Sequence, residues 1–155
     1  NFYMELPTLY HHMDDDDLLM ISNAIREAEK TTSGEIRVSI REKKHFLRRK
    51  KTIGELAKEE FFRLGMDKTR DKTGILIYLL LSEKKFHILA DTGINEKVEK
   101  NTWHKIKDNM QEKFRQGFFS DGIILGIREV GEILTRHFPV KEDDTNELPN
   151  TVSFR

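Results

Sequence analysis

The sequence predicts a single α/β domain with a mixed central sheet, a parallel pair of strands plus an antiparallel hairpin, flanked by helices on both faces. Three observations carry that expectation. Gly74-Ile75-Leu76-Ile77-Tyr78-Leu79-Leu80-Leu81 is a continuous apolar run of strand length, too short to cross a bilayer. Without alternation it reads as a strand buried on both faces, hence central. Ile36, Val38 and Ile40 alternate with Arg37, Ser39 and Arg41, the two-residue period of a second strand. Between the two, Ile53, Leu56, Ala57, Phe61 and Leu64 recur at helical spacing, and a strand–helix–strand crossover makes its strands parallel.

The remaining elements follow in order. Asp14 to Asp17 precede Leu18, Ile21, Ile25 and Ala28, so a helix starts there with Asp14 as N-cap and carboxylates favouring its dipole. That acid run reads as helix initiation rather than a metal site, and Gly34 is the expected stop. Arg48-Arg49-Lys50-Lys51 falls on the early part of the second helix as a solvated basic face. A polar loop, 65–73, carries Asp67 and Asp71. Ser82 to Lys85 is a short turn, and Phe86 to Ala90 returns as the antiparallel partner, ending at Asp91-Thr92-Gly93. Trp103, Ile106, Met110 and Phe114 mark a further helix. Ser120 or Asp121 caps the last, which buries Ile123, Ile124, Ile127, Val130, Leu134 and Phe138 before Pro139 ends it. The expected domain is 14–139, with an N-terminal extension 1–13 and an acidic tail 140–155 lying extended on the surface.

Composition removes several functional classes. With 155 residues the chain can bury one ordinary core. Lys+Arg and Asp+Glu balance at 27 each, so no global basic field draws nucleic acid. There is no cysteine, which excludes disulfides, zinc–thiolate sites and a cysteine nucleophile. No apolar run is long enough for a transmembrane segment, and no signal-peptide pattern opens the chain. The expected compartment is cytoplasmic, or periplasmic if an upstream signal has been removed, since the first residue is Asn1. The His11-His12 pair reads as surface or an expression scar in preference to a metal ligand.

Topology singles out one group of residues. Parallel first and second strands start at the same sheet edge, and the third, antiparallel, ends there. Glu35, Asp71 and Asp91 therefore converge at that edge. Clustered carboxylates repel unless protonated or bridged by a cation. Oxygen ligands without Cys or His suit a hard ion, Ca²⁺ in preference to Mg²⁺ because it tolerates irregular geometry. Asn95 and Glu96 add side-chain oxygens in the loop after Asp91. The same acids serve equally well as caps of turns and helices, and spacing alone does not separate the two readings. No EF-hand loop, Walker-type loop, nucleophile elbow or HExxH is present.

Four segments, in order, resemble the TPM domain family. Thr32-Ser33-Gly34-Glu35-Ile36 is similar to its first-strand opening and Asp71-Lys72-Thr73-Gly74-Ile75-Leu76 to its entry into the second strand. Asp91-Thr92-Gly93-Ile94-Asn95 resembles its loop after the third strand, and Phe118-Phe119-Ser120-Asp121-Gly122-Ile123 its last helix start. Thr73 stands where Asn is usual in the family and Asp91 where Gly is frequent. With its tail after Phe138-Pro139, the chain looks like the short soluble members found in Bacteroidetes. The resemblance implies divalent-metal binding, chiefly calcium, at Glu35, Asp71, Asp91 and Asp121, with Asn95 and Glu96 as further ligands. It also implies acid phosphatase chemistry, as a metal-dependent phosphomonoesterase. The alternative is a non-catalytic adaptor with a protein partner in a membrane-associated or envelope complex.

Overall fold

The computed structural model describes residues 13–140 and 152–154. His11, His12 and most of the acidic tail lie outside the described residues. A four-stranded sheet has the order β3-β2-β1-β4, where β1 is Glu35–Arg41, β2 Gly74–Leu80, β3 Lys85–Ala90 and β4 Ser153–Phe154. β1 and β2 are parallel, β2 and β3 antiparallel, and β4 lies parallel to β1 through Ser39↔Ser153 and Ile40↔Phe154. All seven residues of β2 are buried, as its unbroken apolar run requires. The tail, expected only to lie along the surface, thus contributes an edge strand.

Among the described residues five α-helices surround the sheet: α1 Asp15–Glu29, α2 Ile53–Arg63, α3 Thr92–Asn95, α4 Lys100–Arg115 and α5 Phe119–His137. One face of the sheet offers Ile36, Val38, Ile40, Ile75, Ile77 and Leu79, packed with buried residues of α1, α4 and α5. The other offers Leu76, Tyr78 and Leu80, covered by Leu56, Ala57 and Phe61 of α2 and by Met66. Burying each large aliphatic side chain contributes about 1.5–3 kcal/mol, so the first layer carries most of the stability.

Local signals hold at some ends and shift at others. Asp14 caps α1 through a reciprocal box with Asp17. Gly34 is not the stop of α1, which ends with Lys30 in ordinary helical geometry. Gly34 instead admits Leu134, whose Cδ1 would lie 2.9 Å from a Cβ there. Arg48–Lys51 are not on α2. They precede it: Arg48 ends a 3₁₀ turn, Phe46–Arg48, Arg49 to Lys51 follow that turn, and Thr52 is the cap of α2. Neither Ser120 nor Asp121 caps α5, whose N-cap is Phe118. Asp91 opens no irregular loop but a one-turn helix, α3.

His87 of β3 stands beside α2, where a Cβ on Gly54 would lie 3.8 Å from its ring. Burial, with Lys107 adding, holds the imidazole below its ordinary pKa. As pH falls, the unfolded chain takes up that proton first, at about pH 6.5, so stability is lost below that value. Melting temperature should therefore fall on the acid side of about pH 6.5, and His87→Gln should flatten that part of the profile. Thermal melts across this range check it. An unchanged slope in the variant would place the acid sensitivity elsewhere.

Candidate metal centre

The sheet edge where β1 and β2 begin and β3 ends is tied together by main chain. Glu35 N–H donates to Thr73 O at 3.0 Å, and Asp91 N–H donates to Gly74 O at 2.9 Å. Glu35 is opposite Gly74 in register, which puts Glu35 and Asp91 on either side of the start of β2. The turn carrying Asp71 closes on α3. A Cβ on Gly93 would sit 2.3 Å from Asp71 O and 2.6 Å from Lys72 O, so only glycine allows this approach. Lys72 itself takes a left-handed conformation, φ 57°.

The side chains divide differently from the main chain. Asp91 Oδ1 accepts from Thr92 N–H at 2.7 Å and caps α3. Its Oδ2 is buried with no hydrogen-bond partner. Glu35 is also buried, at 4% exposure. Asp71 is turned outward, with Oδ2 3.4 Å from Arg70 Nε. Asn95 spends its amide internally: Nδ2 donates to Ala90 O at 2.8 Å, and Oδ1 accepts from Trp103 Nε1 at 3.4 Å. Glu96 is exposed at the end of α3. Asp121 is in the first turn of α5, where Phe119 packs on Phe114 and Phe114 on Phe86, the beginning of β3. The opposite end of α5 meets Thr32 and Ser33, which lead into Glu35. A helix of that length spans about 28 Å, so Asp121 is remote from Asp91. Among the described residues no three His, Asp or Glu side chains come close enough together to hold a metal ion.

The sequence matches the TPM domain over residues 11–133. The chain belongs to the TPM domain family. Its fold is shared with the BA42 protein of the psychrophilic bacterium Bizionia argentinensis, solved by NMR. That protein is 38% identical, with 93% of this chain and 96% of that one aligned and a TM-score of 0.83. The N-terminal domain of a protein from P. gingivalis is 16% identical with TM-score 0.66 over 81% of this chain and 78% of that one. The N-terminal domain of the cg2496 protein of Corynebacterium glutamicum is 12% identical, with TM-score 0.60 over 80% and 75%. The last two share the fold alone. No curated protein matches the chain. Within the described residues of this TPM domain no helix is long and apolar enough to cross a membrane.

This TPM domain also carries a buried charge network that the sequence reading did not single out. Arg37, Ser39 and Arg41 of β1 are all buried on one side of the strand. Glu60 of α2 accepts from Ser39 Oγ at 2.7 Å and pairs with Arg41. Arg63 Nε donates to its Oε1 at 2.6 Å, and Arg41 Nη2 donates to Ser153 Oγ of β4 at 3.1 Å. Arg37 is 5% exposed, and its Nε has no hydrogen-bond partner. Burial lowers its pKa, Glu29 opposes that, Arg63 adds to it and Glu35 opposes it. Positive charge from Arg37 thus reaches the neighbourhood of Glu35. The legible signal was the pair of arginines alternating on a strand next to a wholly apolar one.

Proposed function

We propose that this TPM domain is a divalent-cation-binding module that prefers Ca²⁺ and anchors it on Asp91. The observation that carries the reading is Asp91 Oδ2, a buried carboxylate oxygen with no hydrogen-bond partner. Such an atom keeps its desolvation cost unless a donor or cation reaches it. Glu35 and the main-chain oxygens of the Asp71–Lys72 turn, which closes on Gly93, share that edge and are the further oxygen ligands this reading assigns. This is a smaller set than the six predicted residues. Asp121 is at the far end of the sheet, and Asn95 is engaged elsewhere. An all-oxygen, irregular set with water completing the shell suits Ca²⁺ better than Mg²⁺. Affinity on the order of 10⁻⁴–10⁻³ M is expected for a site with few carboxylates. When bound, the cation supplies a Lewis acid able to polarise a phosphoryl oxygen. Asp91 and Glu35 hold it in place.

Calorimetry with CaCl₂ tests binding directly. At about ten times Kd, calcium should add ~1.4 kcal/mol and raise Tm by about 3–6 °C. Asp91→Asn retains the Oδ1 acceptor for Thr92, so the calcium-free Tm should stay the same or rise slightly. The calcium-dependent rise should shrink or vanish. Absence of both heat and Tm shift at millimolar calcium would leave Asp91 as the cap of α3 and nothing more. Hydrolysis of p-nitrophenyl phosphate that tracks calcium occupancy, and is lost in Asp91→Asn, would establish the catalytic version. Calcium binding without turnover would favour the adaptor.

A further inference from the structure

The segment between β1 and α2 is a second feature, at the sheet edge opposite Asp91. It contains Lys43, Lys44, Arg48, Arg49, Lys50 and Lys51 without a single acid between them. Three of these cations hold the loop in shape. Lys44 Nζ donates to Arg49 O at 3.1 Å and Lys51 O at 2.8 Å, and pairs with Glu83 at 2.8 Å. Arg48 pairs with Glu59 at 2.8 Å, and Lys51 lies 3.4 Å from the same carboxylate. Lys43, Arg49 and Lys50 have no ion-pair partner among the described residues. Arg49 lies instead over the ring of Phe46, 4.5 Å from its centroid.

At the tip of this braced loop stand two apolar side chains, Phe46 and Leu47, 71% and 73% exposed. Adjacent apolar residues that protrude so far gain nothing in water. Flanked along the chain by cations, with Arg49 over the Phe46 ring, they match the surface of an anionic bilayer, where basic groups meet headgroups and apolar groups enter the acyl boundary. The chain is neutral overall, so the rest of the molecule is net acidic and would be repelled by the same surface. Charge therefore allows one docking orientation, loop first. Single-stranded nucleic acid also seeks basic loops with aromatics, but it gains from stacking platforms, and Leu47 has no π face. We infer that the Lys43–Lys51 loop is a membrane-surface anchor, docking this domain on bilayers rich in anionic lipid by insertion of Phe46 and Leu47.

Vesicle sedimentation of the whole chain in EDTA tests this. The protein should pellet with vesicles of about 40% phosphatidylglycerol at low salt and stay in solution with pure phosphatidylcholine. Neutralising Lys43, Arg49 and Lys50 together to Gln should weaken the partition on the order of a hundredfold, about fivefold per cation. Phe46→Ser with Leu47→Ser should weaken it about tenfold or more, with Tm unchanged because both side chains are exposed. The chain lacks cysteine, so Leu47→Cys can carry a single polarity-sensitive fluorophore. Its emission should shift to the blue on anionic vesicles only. Failure to pellet, equal pelleting with neutral vesicles, or serine variants that bind as well as the parent would each overturn the inference. So would pelleting that needs calcium, or tighter binding to a single-stranded oligonucleotide than to the vesicles at the same salt.

Discussion

Replacing Glu60 with alanine should lower the unfolding free energy by about 3–5 kcal/mol, the loss expected when one partner of a buried ion pair is removed. Glu60 is 6% exposed and serves three groups at once: the hydroxyl of Ser39 and the guanidinium groups of Arg41 and Arg63. Arg63 is half-exposed and turns to water. Arg41 is buried, so its charge stays in the interior with less compensation, and Ser39 loses its acceptor. In a domain of this size the change corresponds to a fall in Tm of roughly 6–20 °C. Denaturant unfolding of parent and variant checks it. A loss below about 1 kcal/mol would show that the network behaves like a surface ion pair.

Gly93→Ala should also be costly, because the added methyl meets only main chain. Its Cβ would fall 2.3 Å from Asp71 O and 2.6 Å from Lys72 O, and no rotamer change relieves a clash with a carbonyl. Either α3 or the Asp71–Lys72 turn must move. The expected destabilisation is about 1–3 kcal/mol or more. The calcium response should weaken along with it, since the turn and Asp91 would no longer be held together. Gly54→Ala is the matched control. It lies within α2, and its Cβ would stand 3.8 Å from the nearest atom of His87. There the methyl should be neutral or stabilise by up to about 1 kcal/mol. Similar Tm losses in the two variants would mean that the approach of α3 to the turn is not tight.

These two residues show where sequence reading stopped. Apolar patterning was sufficient for β1, β2, β3 and the four helices α1, α2, α4 and α5 that pack on them. Strand direction alone put the main chain of Glu35 and Asp91 at one edge, because parallel and antiparallel connections leave little choice. Side-chain direction was not legible in the same way. Asp71 looks outward to Arg70, and Asn95 folds back on Ala90, choices set by packing within a few ångströms. Asp121 was carried to the site by motif resemblance, yet α5 runs the length of the domain and leaves it at the other end. Glu60 looked like one more charge on an amphipathic helix. Only the pairing of β1 with α2 and β4 reveals it as buried. Spacing cannot show this, since the partners come from three separated segments.

The pairing of Ser153 and Phe154 with β1 has a consequence for assembly. Ser153 is 112 residues from Arg41, whose guanidinium it receives, so this contact closes a far longer loop than the β1–β2 crossover. Closing such a loop costs more entropy than closing the crossover, by about 0.6 kcal/mol per doubling of length, which favours the crossover forming first. Until it happens, Ser39 and Ile40 present unpaired main-chain groups along the outer border of the sheet, a template that any extended strand can occupy. The last strand therefore works as a stopper. It competes with neighbouring chains for the same row of donors and acceptors, and its local concentration as part of the same molecule gives it the advantage.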